Sequence, residues 1–595
     1  MIILPSSKTE PDDRQQPLSS QNFMEWRFLD AIGPFFRGIE RSRINWSKIP
    51  FSDLTTQGPQ ARAQWDRIAA DLTRLVTQAR DYGFNAVTLD DVAHLVPHPW
   101  HSSELNRDLE VYRAEFGRLF QIIDGLGMAI FLTTDAIPCS AGLLEATGGR
   151  RAALDQWFRE VITNILDTFP EVRGIVLRIG ESDGTDVCDP LRSRLHLKNS
   201  RQTHRFLRDL LPLFESRGRL LVFRTWTVGA HRIGDLIWHR RTLEDTLGGL
   251  NSPALLVSMK HGESDFFRYL PLNRAFFRLT QPKMIEIQAR REYEGAGEFP
   301  SFIGWDCERM ARELAGVRNL VGISVWCQTG GWHGFRRLAF LEDKHRDIWI
   351  RLNVLAASRI LCDGATVEQV VSQVAGPEHA DALLELLRHS ETAVRELYYV
   401  EEFARRKLFF RRVRIPPLLH VYWDCLFINH ALRKILMHFV DDPECAIRDG
   451  EAAFDLFPRM ISLAGQAGLP GDDIEFMRDT FRLIALARRY YFLPFDPALP
   501  PVIEAAKRTY KLRWPRSERP RYRIKTSFEP FRVKRRTLAW IAALLLRKRR
   551  GYRIIDYLFT LGLLGSLYRL LRPATRNSLP KFLRDSAMGI DTLFK

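Results

Sequence analysis

Glu181, Asp265 and Glu292 each stand within a few residues of the end of a short apolar run, in the segments VRGIVLRIGES, ALLVSMKHGESD and KMIEIQARREYEG. Arg178, Arg224 and Lys260 stand at or near the ends of runs of the same kind. Carboxyl groups grouped in this way suit glycoside hydrolysis, in which one stays protonated to donate to the leaving oxygen and another stays ionised to activate water or attack carbon. A partly buried rim with like charges close together drives two such pKa values apart, and cations converging on the same rim suit an acidic sugar. Each acid alone reads equally well as an ion-pair or helix-capping partner, so the argument rests on the combination. Glu286, in MIEIQ, is an acid inside a buried strand and calls for an inward Arg or Lys. Asp90 and Asp91 follow another apolar run and either line the cleft or cap the next helix.

Such residues need a scaffold that brings strand ends together. A parallel β/α barrel does this: its strands, buried on both faces, read as continuous Val/Ile/Leu runs, and its chemistry gathers at their C-terminal ends. The chain's 595 residues have room for a barrel of about 250 residues and further units. We place the strands near Phe35 to Ile39, Ala86 to Leu89, Ala129 to Thr133, Gly174 to Ile179, Leu220 to Thr225, Ala254 to Met259, Met284 to Ile287 and Gly322 to Trp326. Helical faces lie between them, such as AQWDRIAADLTRLVTQARDYGF, which stops at Gly83, and LDQWFREVITNILDTFPEV, which stops near Pro170. The expected fold is a (β/α)8 TIM barrel over residues 23–345, after a flexible arm at 1–22. A helical domain over 346–515 and a basic amphipathic tail over 516–595 follow, because the strand signal fades past residue 345.

The formal charge of +16 is concentrated in the tail, where Arg and Lys alternate with aromatic and aliphatic residues. Its apolar stretches, Leu538 to Leu546 and Tyr557 to Leu567, fall short of the roughly 20 residues a spanning helix needs. They fit helices lying on an anionic membrane surface through residues 530–572, or else a basic face covering the barrel. No zinc-finger, RNP or helix-turn-helix pattern accompanies the charge, so nucleic acid is not an expected partner. The 7 cysteines are widely spaced without a CxxC pair, and the N-terminus lacks a secretory signal pattern, so the expected compartment is the cytoplasm, with the protein peripheral on the inner face of the membrane. His94, His98 and His101 form a small cluster, but Pro97 and Pro99 oppose the helical spacing of a zinc site, leaving a loop of ordinary histidines. No metal or cofactor is expected. The sequence leaves the oligomeric state open, a homodimer included.

From about Trp26 to Val371 the chain resembles family 67 of the glycoside hydrolases, the α-glucuronidases. FRGIERSRINW, VRGIVLRIGESDG, LVFRTWTVG, ALLVSMKHGESDFF and IEIQARREYEG follow the order of that family's strand-end signatures, and GISVWCQTGGWHGF resembles its eighth strand. The resemblance implies a general acid at Glu181, a water-activating base assigned between Asp265 and Glu292, and single displacement with inversion. It also implies that Arg178, Arg224 and Lys260 bind the uronate carboxylate and hydroxyls, that Trp26 packs on the sugar, and that Trp326, Trp332 and His333 wall the pocket. The chain departs from the pattern in lacking the family's N-terminal β-domain and in its basic tail. Asp90 and Asp91 stand where the family has an Asn pair, and would repel an anionic substrate if both pointed inward. The expectation is hydrolysis of an α-linked uronic acid or related sugar from a glycan or glycolipid. The alternative is a non-hydrolytic carbohydrate-binding or scaffold protein of a membrane-associated polysaccharide-synthesis assembly.

Overall fold

A computed structural model describes residues 24–179, 189–193, 196–226, 240–343, 345–404, 424–437 and 440–529, with positions 233, 236, 407–408 and 546–547. Eight parallel strands close a barrel in sequential order. They are β1 (Trp26–Asp30), β2 (Ala86–Asp90), β3 (Ala129–Asp135), β4 (Val172–Arg178), β5 (Leu220–Arg224), β6 (Leu255–Lys260), β7 (Lys283–Gln288) and β8 (Leu320–Trp326). The side chains that alternate into the bore build two zones. Phe28, Ala86, Phe131, Val176, Val222, Leu256 and Met284 pack together as an apolar lower layer. One step further along each strand come Asp30, Thr88, Thr133, Arg178, Arg224, Ser258, Glu286 and Ser324, with Asp90 and Trp326 also at this cavity. The strands thus fill the bore with hydrocarbon below and deliver polar groups above. Gly322 keeps the lower layer closed, because a Cβ there would meet the Trp26 carbonyl at 2.3 Å.

The first strand differs from expectation. It is WRFLD, whereas Gly33–Phe36 forms a 3-10 turn with Pro34 in its first positions. The more apolar FFRGI run therefore falls in the turn and loop that follow β1.

The helices surrounding the barrel bury one stripe each. In α1 (Gly58–Asp81) this stripe includes Ile68, Leu72, Leu75, Val76 and Ala79. After β2 comes α2 (Ser103–Gly125), capped by the Ser102 hydroxyl on the Leu105 N–H at 3.2 Å. Further round are α3 (Arg151–Thr168), α4 (Ser200–Glu215), α5 (Arg240–Leu247) and α6 (Ala275–Arg278). The ring continues with α7 (Gly304–Leu314) and α8 (Ile348–Asp363).

Beyond residue 363 the described residues are largely helical, including α9 (Ala380–Ala393), α10 (Asp472–Phe492) and α11 (Leu499–Arg513). Two features depart from the expected helical unit and tail. A strand, β9 (Cys425–Asn429), pairs in parallel with β10 (Arg523–Ser527), drawn from the segment expected to be tail. Arg519 donates to Asp473 at 2.7 Å and to the Glu298 carbonyl at 2.7 Å, while Tyr522 is buried. The basic residues just past 515 therefore pair with buried carboxylates of the folded body. The membrane-surface segment expected over 530–572 lies outside the described residues apart from 546–547. Among the described residues no helix is long and apolar enough to cross a membrane.

Candidate active site

The C-terminal ends of β6 and β7 bring two of the three carboxylates to one rim. Lys260 is the last residue of β6 and points inward in register with Glu286 of β7. Its Nζ donates to Asp265 Oδ1 at 2.5 Å. The Tyr293 hydroxyl donates to Asp265 Oδ2 at 2.6 Å, and the Phe266 N–H donates to Oδ1 at 3.1 Å. A carboxylate offers about four acceptor sites, so these three donors fix Asp265 and leave capacity for one more proton donor, such as a water. The Lys260 ammonium also lies over the ring of Trp226 at 3.6 Å and that of Phe266 at 4.5 Å.

Glu292 is held by Gln288, the last residue of β7. The Gln288 amide donates to Glu292 Oε1 at 2.9 Å, and the Glu292 N–H donates back to Gln288 Oε1 at 2.9 Å. Gly330, on the loop after β8, passes so close that a Cβ there would lie 3.2 Å from Glu292 Oε2. That loop is anchored by Asp30 at the end of β1, which accepts the N–H groups of Cys327, Gln328 and Thr329.

The two arginines have protein partners. Arg224 Nε contacts both oxygens of Glu286, at 3.0 and 3.1 Å, and Ser258 Oγ donates to Glu286 at 2.8 Å. The Arg224 guanidinium stacks on Trp326 at 4.0 Å. This is the inward cation that Glu286 called for. Arg178 Nε donates to Asp135 at 3.0 Å and its Nη1 to the Ser47 carbonyl at 3.0 Å, while Lys48 pairs with Asp135 at 2.5 Å. Both pairs are buried, so any uronate reaching these arginines shares them with a protein carboxylate.

The Asp pair of β2 divides its roles. Asp90 accepts the Ile49 N–H at 2.9 Å, and burial pushes its carboxyl up to about 7, against the pull of Arg178. Asp91 turns to His94, whose Nδ1 is 3.3 Å away; the other ring nitrogen of His94 lies 3.0 Å from Asp189. Burial opposes charging of this imidazole, but Asp189 and Asp91 together hold it protonated, up to about 10. Of the two aspartates expected to repel an anion, Asp90 is largely protonated below pH 7, while Asp91 shares one imidazolium with Asp189. His101 bonds Ser140 at 2.8 Å, and His98 Nδ1 accepts the Trp100 N–H at 3.3 Å, so each histidine of the cluster has its own partner.

Trp26 stands at the N-terminal end of β1, where it meets Phe28 and Phe131 edge-on at 5.8 and 5.4 Å. It belongs to the floor of the barrel, at the end opposite the carboxylates, and is not brought to the rim. Trp326 is at the rim, with Phe266 edge-on at 5.1 Å. His333 is fully buried behind Trp46. Trp332 pairs with Asn45 through its backbone, but its side chain lies outside the described residues, as does Glu181.

The sequence pattern does not single out Tyr293, Gln288, Asp30, Asp135, Lys48 or Trp226. Tyr293 was within reach as the neighbour of Glu292, and Gln288 as the inward residue one period after Glu286. The cavity in the upper bore holds about 40 Å³, room for one or two waters.

No protein-family model matches the chain, and no curated protein matches it. Among solved structures it is similar to a GH138 enzyme targeting pectin rhamnogalacturonan II, at 12% identity and a TM-score of 0.48, covering 84% of this chain and 60% of that one. It is also similar to a mutant of the Thermobaculum terrenum O-GlcNAc hydrolase, at 11% identity and a TM-score of 0.37, covering 75% of this chain and 84% of that one. The chain thus spans three-fifths of the length of the first of these. With TM-scores of this size, neither likeness adds to what the strand order establishes.

Proposed function

We propose that the chain is a glycoside hydrolase that cleaves an α-linked uronic acid, or a related sugar, from a glycan by single displacement with inversion. The observation that carries this reading is the presence at one barrel rim of Asp265, held by Lys260 and Tyr293, and of Glu292, held by Gln288. In this reading Glu181 gives its proton to the glycosidic oxygen as the bond to the anomeric carbon breaks. Water attacks that carbon from the opposite face and passes its proton to the Asp265 and Glu292 pair. Lys260 and the aromatic rings around it bind the sugar, and protonation of Asp90 removes one of the negative charges that would oppose an anionic ring. Hydrolysis of this kind needs no cofactor.

The test is release of a uronic acid from aryl α-uronosides, with the anomer of the first product read by NMR. Asp265→Asn and Glu292→Gln are each expected to lower kcat by about 10²- to 10⁴-fold with the circular dichroism spectrum unchanged. Retained activity in both variants, or a retained anomeric configuration, overturns the mechanism. The reading further places the protein in the cytoplasm, held on the inner membrane face by residues 530–572. Flotation with anionic liposomes, lost when those residues are deleted, is the expected result.

A further inference from the structure

A groove of about 800 Å³ opens between the first turns of α3, α4 and α5. Helices that follow barrel strands begin at the same end as the strand C-termini, so the groove opens on the end of the barrel that carries Lys260, Asp265 and Glu292. Its lining is strongly basic: Arg151, Lys198, Arg201, Arg205 and Arg241, against Asp155 and Asp245. Arg151 is already held by Asp155 at 2.6 Å, and the exposed Arg241 stands 3.8 Å from Asp245. Among the described residues, no carboxylate pairs with Lys198, Arg201 or Arg205, and all three are exposed. The N-terminal turn of α4 adds its positive dipole end to these charges.

We propose that this groove binds an acidic oligosaccharide, its cations meeting the uronate carboxylates. Two features favour a glycan over a nucleic acid. The groove's aromatic residue, Phe206, is buried, so no ring face is offered to a base. Polar Ser200, Gln202 and Thr242 supply further hydrogen-bonding groups between the cations. The volume falls within the roughly 300 to 1,000 Å³ typical of ligand sites. The groove needs no turnover to bind, so it stands apart from the proposed hydrolysis.

Binding is read by fluorescence anisotropy with labelled tetragalacturonate, using the full chain carrying Asp265→Asn so that hydrolysis plays no part. Affinity is expected to fall with added salt, to exceed that for labelled maltotetraose, and to drop about tenfold or more in the Arg201→Glu, Arg205→Glu double variant. The double variant must keep the thermal midpoint of its parent; if it does not, Arg201→Gln and Arg205→Gln are tested singly. Unchanged affinity in folded variants overturns the groove. Equal binding of a single-stranded oligonucleotide, lost in the same variants, assigns it to nucleic acid and overturns the glycan.

Discussion

Asp90 ends β2 with its carboxyl facing the bore, where burial favours its protonated form and raises it to about 7. A carboxyl raised on folding contributes stability that is complete below its unfolded value of 3.8 and is lost as pH rises through about 7. Asp90→Asn, which keeps the acceptor for the Ile49 N–H, should therefore be neutral at pH 4 and stabilising at pH 8, by on the order of 2 to 4 kcal/mol. Denaturant titrations at the two pH values check this; an equal effect at both would show that Asp90 is ionised in the fold throughout. The Arg224 and Glu286 pair is the opposite case, two charges that need each other. Arg224→Met alone leaves Glu286 buried beside Ser258 and should cost about 3 to 5 kcal/mol, whereas the double variant with Glu286→Leu should recover much of it. Chemical denaturation of both variants decides. The need for this pair was legible in the residue order alone, because an acid inside a buried strand is costly without a cation. The position of Trp26 was not: residue type suggests a sugar platform, but its place at the start of the strand puts it on the floor.

At the scale of elements, the loop after β7 is a rigid piece because the helical region grips it from behind. Asn353 of α8 donates to the carbonyls of Ala289 and Ser301, both at 2.9 Å, and accepts the Ile303 N–H at 3.0 Å. Glu294, on the same loop, meets Arg268 at 3.1 Å and also Arg291 and Tyr399. Burial resists its charge, but Arg268 and Arg291 bring the carboxyl down to about 2. Tyr398 donates to the Tyr293 carbonyl, and its hydroxyl is 2.9 Å from that of Tyr522. Tyr398→Phe should lower kcat severalfold, with a smaller change in KM, since it loosens the residue that positions Asp265; steady-state kinetics checks the split. Seven of the eight barrel strands were legible because burial on both faces demands largely apolar runs, as in ALLVSM and VRGIVL. The strand CLFIN was not, since its partner lies almost a hundred residues downstream.

At the scale of the whole molecule, residues from 516 onward read as a basic amphipathic tail, yet Arg519 reaches Glu298 and Asp473 and stacks over Phe476 at 4.3 Å. A chain ending at 515 should lose cooperative unfolding and activity together, while one ending at 529 should keep both; differential scanning calorimetry separates them. The rim is thus braced by a part of the chain far from the barrel in sequence.

The parallel pairing of β10 with β9 also has a consequence in time. A ribosome delivers the eighth barrel strand nearly two hundred residues before Tyr522. The barrel can therefore close first, and the brace behind Tyr293 and Asp265 is complete only once β10 has emerged. Between those two moments the nascent barrel is folded yet without its finished rim.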